Sequence, residues 1–317
     1  MDMIRPCHTA IAFAAAMLCA LAVPGPAKAR ELNVGPTRVL KVPSQAATLA
    51  MTGDIIRIDP GTYADCAVWN ASNLLIEAAG PGVTLAGKTC AEKGIFVVLG
   101  ADTTIRGITF ANAKVIWHNG AGIRASGNNL TVENSRFINN ENGILAGGDR
   151  TSVLRISGSE FIGNGACIGA CAHGVYAGAP IYLLDIENCV FLDTKIAHHI
   201  KSRALNTVVR NSRIEDGPQG TSSYLIDIPN GGNVLIEGNT MEKGKLTSNP
   251  SVAISIGVEG VKNPTDVLIV RHNRFTSRVS GRTTFVRDSA PVPAELDANT
   301  IDGDVGALAS DPTGSTK

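Results

Sequence analysis

The chain repeats itself. A short apolar strand, a corner containing Asn or Gly, and a large apolar residue recur along it. The copies end at Phe110, Phe137, Phe161, Phe191, Ile214, Met241 and Phe275. Successive anchors lie roughly 23 to 34 residues apart, a period too short for a propeller blade. No copy contains an amphipathic helix, so the unit is neither a helical repeat nor a βα unit. Each copy reads as one turn of a parallel β-helix, with the longer spacings absorbed in loops. The expected fold is all-β: a single-domain right-handed parallel β-helix solenoid with an N-terminal helical cap. One such domain can be long because a solenoid adds core rung by rung.

The ends read differently. Arg5 and the apolar run Ala10 to Val23, followed by Ala27-Lys28-Ala29, form a secretory signal with cleavage before Arg30. Leu18 before Cys19 stands where a lipoprotein signal needs a small residue. Residues 1–29 are therefore a signal peptide, 30–304 the β-helix domain and 305–317 a flexible tail rich in Gly, Ala, Ser and Thr. No later run reaches transmembrane length, so the expected location is secreted or periplasmic. Five cysteines follow the signal, in a compartment that permits disulfides. Cys167 and Cys171 flank a short loop and can pair, as can Cys66 and Cys90 on neighbouring units. Cys189 reads as a small buried residue. With His173, Cys167 and Cys171 would make three zinc ligands, but no fourth is evident, and neither metal nor cofactor is expected.

Charge excludes a function class. The 28 basic residues match the 28 acidic ones, which argues against a nucleic-acid partner. Aromatic residues make up 4%, too few for a broad sugar-stacking surface, and Trp69 and Trp117 read as packing.

The coils align column by column. Ile123, Ile144, Val175, Ile200, Ile226 and Ile254 form an inward column. Arg124, Leu145, Tyr176, Lys201, Asp227 and Ser255 then face out, because strand side chains alternate. Asn134, Asn188 and Asn211 at the corners are expected to stack as an amide ladder. The densest ionisable cluster runs from His198 to Arg203. In this alignment His199, Lys201 and Arg203 share one outer face with His173 and Tyr176 before them and Asp227 after. Rungs stack about 4.8 Å apart, so these side chains converge without a long loop. Cations grouped this way suit a sugar carboxylate whose α-proton is to be removed. Lys201, Arg203, His199 and Tyr176 are the candidate catalytic residues, and His173, His198 and Asp227 the candidate substrate-binding ones. Lys201 and Asp227 are also adjacent enough to form an ordinary cross-strand ion pair.

Two resemblances sharpen this picture. The short helical stretch Ser44 to Met51, then Gly53-Asp54, a strand and Pro60-Gly61-Thr62-Tyr63, resembles the opening of secreted, pectate-lyase-like right-handed β-helix proteins. Ile200-Lys201-Ser202, with Asn206 to Asn211 and Gly232 to Asn239, resembles the alginate lyase and chondroitinase B family. That resemblance implies an eliminative lyase with Lys201 as base, because the family's catalytic lysine stands in an Asn-Lys-Ser context. The family's arginine falls where this chain reads Pro229-Asn230-Gly231, and its acidic calcium cluster is not recognisable. The expected partner is a polysaccharide, acidic in character. The expected function is an exported protein that binds and modifies it, as a lyase on uronic-acid-containing glycans. The alternatives are a non-catalytic carbohydrate-binding or envelope scaffold, and a glycoside hydrolase or epimerase. Expressed with export, the protein should begin at Arg30 by N-terminal sequencing; an unprocessed Met1 would refute the signal reading.

Overall fold

Each coil follows one grammar. Val, Ile, Leu and Thr fill its strands, where branched side chains suit a pleated, half-buried surface. A residue with left-handed backbone then turns the corner. Gly107, Asn134, Gly158, Asn188, Asn211, Gly238 and His272 take this place in successive coils, with φ between 49° and 73°. Gly and Asn recur there because they reach this region at least cost.

A computed structural model describes Asp2 and residues 29–311. They wind into a right-handed parallel β-solenoid of about ten turns. Three long sheets form its sides. The first has 11 strands, from Glu31–Val34 to Glu295–Asp297. The second has ten, from Gly61–Tyr63 to Thr300–Asp302, and the third ten, from Ala67–Trp69 to Val305–Ser310. The helix Pro43–Leu49 buries Pro43, Ala46 and Ala47 against the first coils, as the cap requires.

The C-terminal end extends further than expected, and the N-terminal end begins with a strand rather than with the helix. Glu31–Val34 already pairs with Ile55–Ile58 before the helix, so the sheet starts ahead of the cap. The expected flexible tail from Val305 is corrected in its first half, because Val305–Ser310 pairs with Thr283–Asp288. Small side chains hide the strand in the sequence, but the open edge of the last coil offers backbone groups that pair whatever the side chains are. The signal segment lies outside the described residues apart from Asp2 and Ala29, as do residues 312–317.

The anchors stack as expected. Phe110, Phe137, Phe161, Phe191, Ile214, Met241 and Phe275 are partners in unbroken register, each at most 1% exposed. The rings of Phe110, Phe137, Phe161 and Phe191 lie nearly parallel, with centroids 5.3, 4.7 and 4.6 Å apart. The amide ladder forms one residue later than expected. Asn239, Asn273 and Asn299 link side chain to side chain at 3.0 Å and cap one another's backbone N–H. Asn134, Asn188 and Asn211 instead supply the left-handed turn.

The outer face of the first sheet alternates opposite charges. Arg57, Glu77, Arg106 and Glu133 follow one another in register, and Glu187, Arg210, Glu237, Arg271 and Asp297 do so further on. Arg106, Arg210 and Arg271 thus each lie between carboxylates one rung away, with contacts of 2.7 Å for Arg106–Glu133 and Arg271–Glu237. Cys66–Cys90 and Cys167–Cys171 are disulfides, and Cys189 is a buried thiol. Truncating the middle of the ring stack, Phe137→Ala, should cost about 3–5 kcal/mol, read as a lower urea midpoint with an unchanged m-value. A loss below about 1 kcal/mol would show that the stack does not carry the core.

Candidate functional site

The third sheet positions the site. Its inward column Ile123, Ile144, Val175, Ile200, Ile226 and Ile254 is in register and fully buried. Tyr176, Lys201 and Asp227 therefore lie side by side on the outer face of three successive coils. Arg203 follows at the end of the strand Ile200–Ser202, beside them.

His199 does not share that face. One position before the inward column stand Gly122, Gly143, Gly174, His199, Leu225 and Ala253. A Cβ built on Gly122 or Gly143 would meet the ring of Phe137 or Phe161 at 2.8 or 2.7 Å, so this position also points inward. The strand Ile200–Ser202 begins only after His199, and alternation fails at the corner before it. His199 is 0% exposed, edge-on to Phe191, with Nε2 3.1 Å from Asp216. Asp216 also accepts from Ser222 Oγ at 2.5 Å. Lys243, buried beside this group, donates to the Ser223 carbonyl. These four form an internal polar cluster where the phenylalanine stack gives way to Ile214.

The outer place expected for His199 is taken by the residue before it. His173, His198 and Tyr224 occupy equivalent positions in successive coils, and their rings contact in turn at 4.7 and 5.0 Å. The backbone N–H of His198 donates to His173 Nδ1, and that of Tyr224 to His198 Nδ1, both at 3.2 Å. Each neutral imidazole thus keeps its proton on Nε2, and His198 Nε2 faces Asp227 at 3.4 Å.

The cations are paired. Lys201 Nζ lies 3.2 Å from Asp227 and 3.4 Å from Glu259, and 6.0 Å from the centre of the Tyr176 ring. Arg203 donates from Nε to the Tyr176 hydroxyl at 2.9 Å and from Nη1 to Asn230 Oδ1, and its Nη2 lies 2.8 Å from Glu259. The expected basic surface is thus two cations balanced by two carboxylates. Burial, then the charges of Lys201 and Arg203, pushes His173 down to about 3. Burial, with His173 and Lys201 nearby, holds His198 well below its ordinary value. Burial raises Asp227 against the pull of Lys201. Burial would raise Glu259 too, but the Arg203 hydrogen bond and the Lys201 charge outweigh it and hold that carboxyl low.

Sequence reasoning left out Tyr224, Asn230 and Glu259. Aligning the triplets before each inward Ile would have found Tyr224, which follows His173 and His198 in column. Glu259 sits in the turn after Val252–Ile256 and has no periodic signature. Trp69 is buried, but Trp117 is 69% exposed next to Ile116, so only the first packs as expected. The Cys167–Cys171 bond removes both thiols from a zinc site. Among the described residues no group of three or more His, Cys, Asp or Glu is placed to hold a metal ion.

No protein-family model matches the chain, and no curated protein matches its sequence. Solved structures do match. An alginate lyase from Paenibacillus sp. strain FPU-7 superposes with a TM-score of 0.54 at 18% identity, over 83% of this chain and 96% of that one. The pectate lyase Pel9A superposes with a TM-score of 0.51 at 14% identity, over 91% and 81%. The fold is therefore the pectate-lyase-like β-helix that the opening of the sequence resembles.

The buried histidines make the fold acid-sensitive. Unfolded, His173 takes up a proton near pH 6.5, but folded only near pH 3. Its contribution to stability is complete above 6.5 and falls with pH below that, by roughly 1.4 kcal/mol per pH unit. His198 adds in the same sense, and the raised Asp227 opposes both. Urea midpoints measured from pH 7 to about pH 4 should fall, and less steeply in His173→Asn, whose amide oxygen can still accept the His198 N–H. Equal slopes in the two proteins would refute the assignment.

Proposed function

We propose that this protein is exported, binds an acidic polysaccharide along the outer face of its third sheet, and cleaves uronic-acid-containing chains by elimination. Export is supported by the N-terminal signal pattern. Among the described residues no helix is long and apolar enough to cross a membrane.

The observation that carries the reading is Arg203. Its guanidinium holds the Tyr176 hydroxyl at 2.9 Å, and the Lys201 ammonium lies over the ring of the same tyrosine. Two cations and a phenol thus meet on one solvent-facing strip. A uronate's α-proton leaves only when the adjoining carboxylate charge is offset. Arg203 offsets that charge. Lys201, as free amine, removes the proton, and Tyr176 returns one to the leaving glycosidic oxygen. A double bond forms as the chain breaks. His199, buried with Asp216, has no part in this. Asp227 holds His198 from beneath and pairs with Lys201 at rest, a contact that opens when Lys201 acts as the base.

One observation favours a second reading, a non-catalytic polysaccharide-binding scaffold. Lys201 contacts two carboxylates, and an amine in such a pair is no base until they disengage.

The two readings separate in one assay. Acidic polysaccharides are incubated with the mature protein while ultraviolet absorbance follows the new double bond. The lyase reading expects rising absorbance, lost by at least about 100-fold in Lys201→Ala with affinity nearly retained, and weaker binding in Arg203→Ala. Binding without any product, in wild type as in Lys201→Ala, supports the scaffold. Cleavage to saturated products overturns both and directs attention to Asp227 and Glu259, whose carboxyls are shifted in opposite directions as in acid–base pairs.

A further inference from the structure

Glu259 is built unlike the rest of the site. It bridges both cations, one carboxylate oxygen 3.4 Å from Lys201 and the other 2.8 Å from Arg203. A sugar carboxylate entering between those cations would present its two oxygens in the same way. Its exposure also differs. The Glu259 side chain is 44% exposed, those of Lys201 and Arg203 12% and 19%, and that of Asp227 3%. Glu259 is thus the outermost layer and Asp227 the innermost, with the cations between.

The backbone beneath Glu259 is held. Its N–H donates to the Pro229 carbonyl at 3.0 Å, and Gly260 N–H donates to the Gly257 carbonyl at 3.0 Å. Asn230 reaches the Gly260 carbonyl from one side while accepting from Arg203 on the other. Gly257 turns with φ 74° and is packed against Ala290 and Ser289. A tethered turn with an exposed side chain points to exchange by rotamer change, a fast local event that needs no loop opening.

The geometry points to Glu259 as an internal stand-in for the carboxylate of an acidic sugar, a specificity determinant that an incoming uronate has to displace. The inference rests on the acidic-polysaccharide reading and deepens it. An exposed ion pair is weak and screened by salt, so displacement is feasible. It still sets a threshold. A single carboxylate must outcompete a tethered one, whereas a polyuronate brings many carboxylates on one chain. The site would therefore discriminate against free uronic acids and neutral sugars and favour polyanionic chains. Removing Glu259 would relax that threshold for every anion.

The test uses the mature chain and its Glu259→Gln and Glu259→Ala variants, with two kinds of probe. In calorimetry, oligogalacturonate and oligomannuronate should bind both variants about three- to tenfold more tightly than wild type at low salt, a gain that shrinks as salt rises. Neutral cello-oligosaccharides should show no gain, and thermal midpoints should stay close to wild type. In the second arm, sulfate is titrated while the Arg203 Nε–H resonance is followed, and the variants should saturate at lower sulfate than wild type. If no oligouronate binds any of the three proteins but the sulfate arm succeeds, the stand-in role stands and the polysaccharide reading falls. Wild-type-like or weaker sulfate response in both variants overturns the stand-in role, whatever the glycans do. Tighter binding of neutral sugars as well would also overturn it, because the effect would not lie in charge.

Discussion

In-register stacking of parallel coils is the constraint on which this molecule depends. Every backbone group in a sheet bonds to the coil above or below, so each residue acquires a fixed neighbour one rung away. A slip of one residue would bring the inward isoleucines to the surface. The interior holds the register through the ring stack from Phe110 to Phe191 and the amide ladder from Asn239 to Asn299. The exterior of the first sheet holds it through the alternation of Arg and Glu, because a slipped coil would separate these ion pairs. Stabilisation and specification therefore come from the same columns.

The candidate site is a product of that register. Tyr176, Lys201 and Asp227 lie far apart in sequence and side by side in space because each stands one residue after a buried aliphatic. The sheet supplies rigid placement, and the turns supply what the sheet does not. Asn230 and Glu259 come from the corners after the third-sheet strands, and they convert a pair of cations into a balanced network. Burial beneath this layer keeps His173 and His198 neutral. The polar character of the face thus rests on Lys201, Arg203 and the two carboxylates that answer them.

The internal cluster of His199, Asp216, Ser222 and Lys243 shows how a solenoid tolerates polarity in its core. The stacked phenylalanines end at Phe191, and the next rungs carry the slimmer Ile214 and Met241. The space at the corner holds polar side chains that bond one another and nearby backbone, with His199 Nδ1 left without a partner. Ser222 and Tyr224, two residues apart, serve the inner cluster and the outer aromatic row.

Much of this was legible in the sequence, for a physical reason. A solenoid writes its register into local repeats, so the anchor column, the inward isoleucines and the outer row of Tyr176, Lys201 and Asp227 could be read by alignment of neighbouring coils, while the cap and the Cys167–Cys171 pair were legible as local segments. What escaped belongs to places where the repeat is interrupted. His199 follows strand alternation in the sequence but lies in a corner that turns inward, and only the path of the backbone decides that. The last strand has side chains too small to announce pairing, yet an open sheet edge pairs with backbone alone. Glu259 lies in a turn of irregular length, so no period places it against Lys201 and Arg203. The sequence by itself determined which residues repeat, and hence the columns and the fold. Tertiary structure alone decided how the turn after Val252–Ile256, which has no period, brings Glu259 to the cations and completes the charge balance of the site.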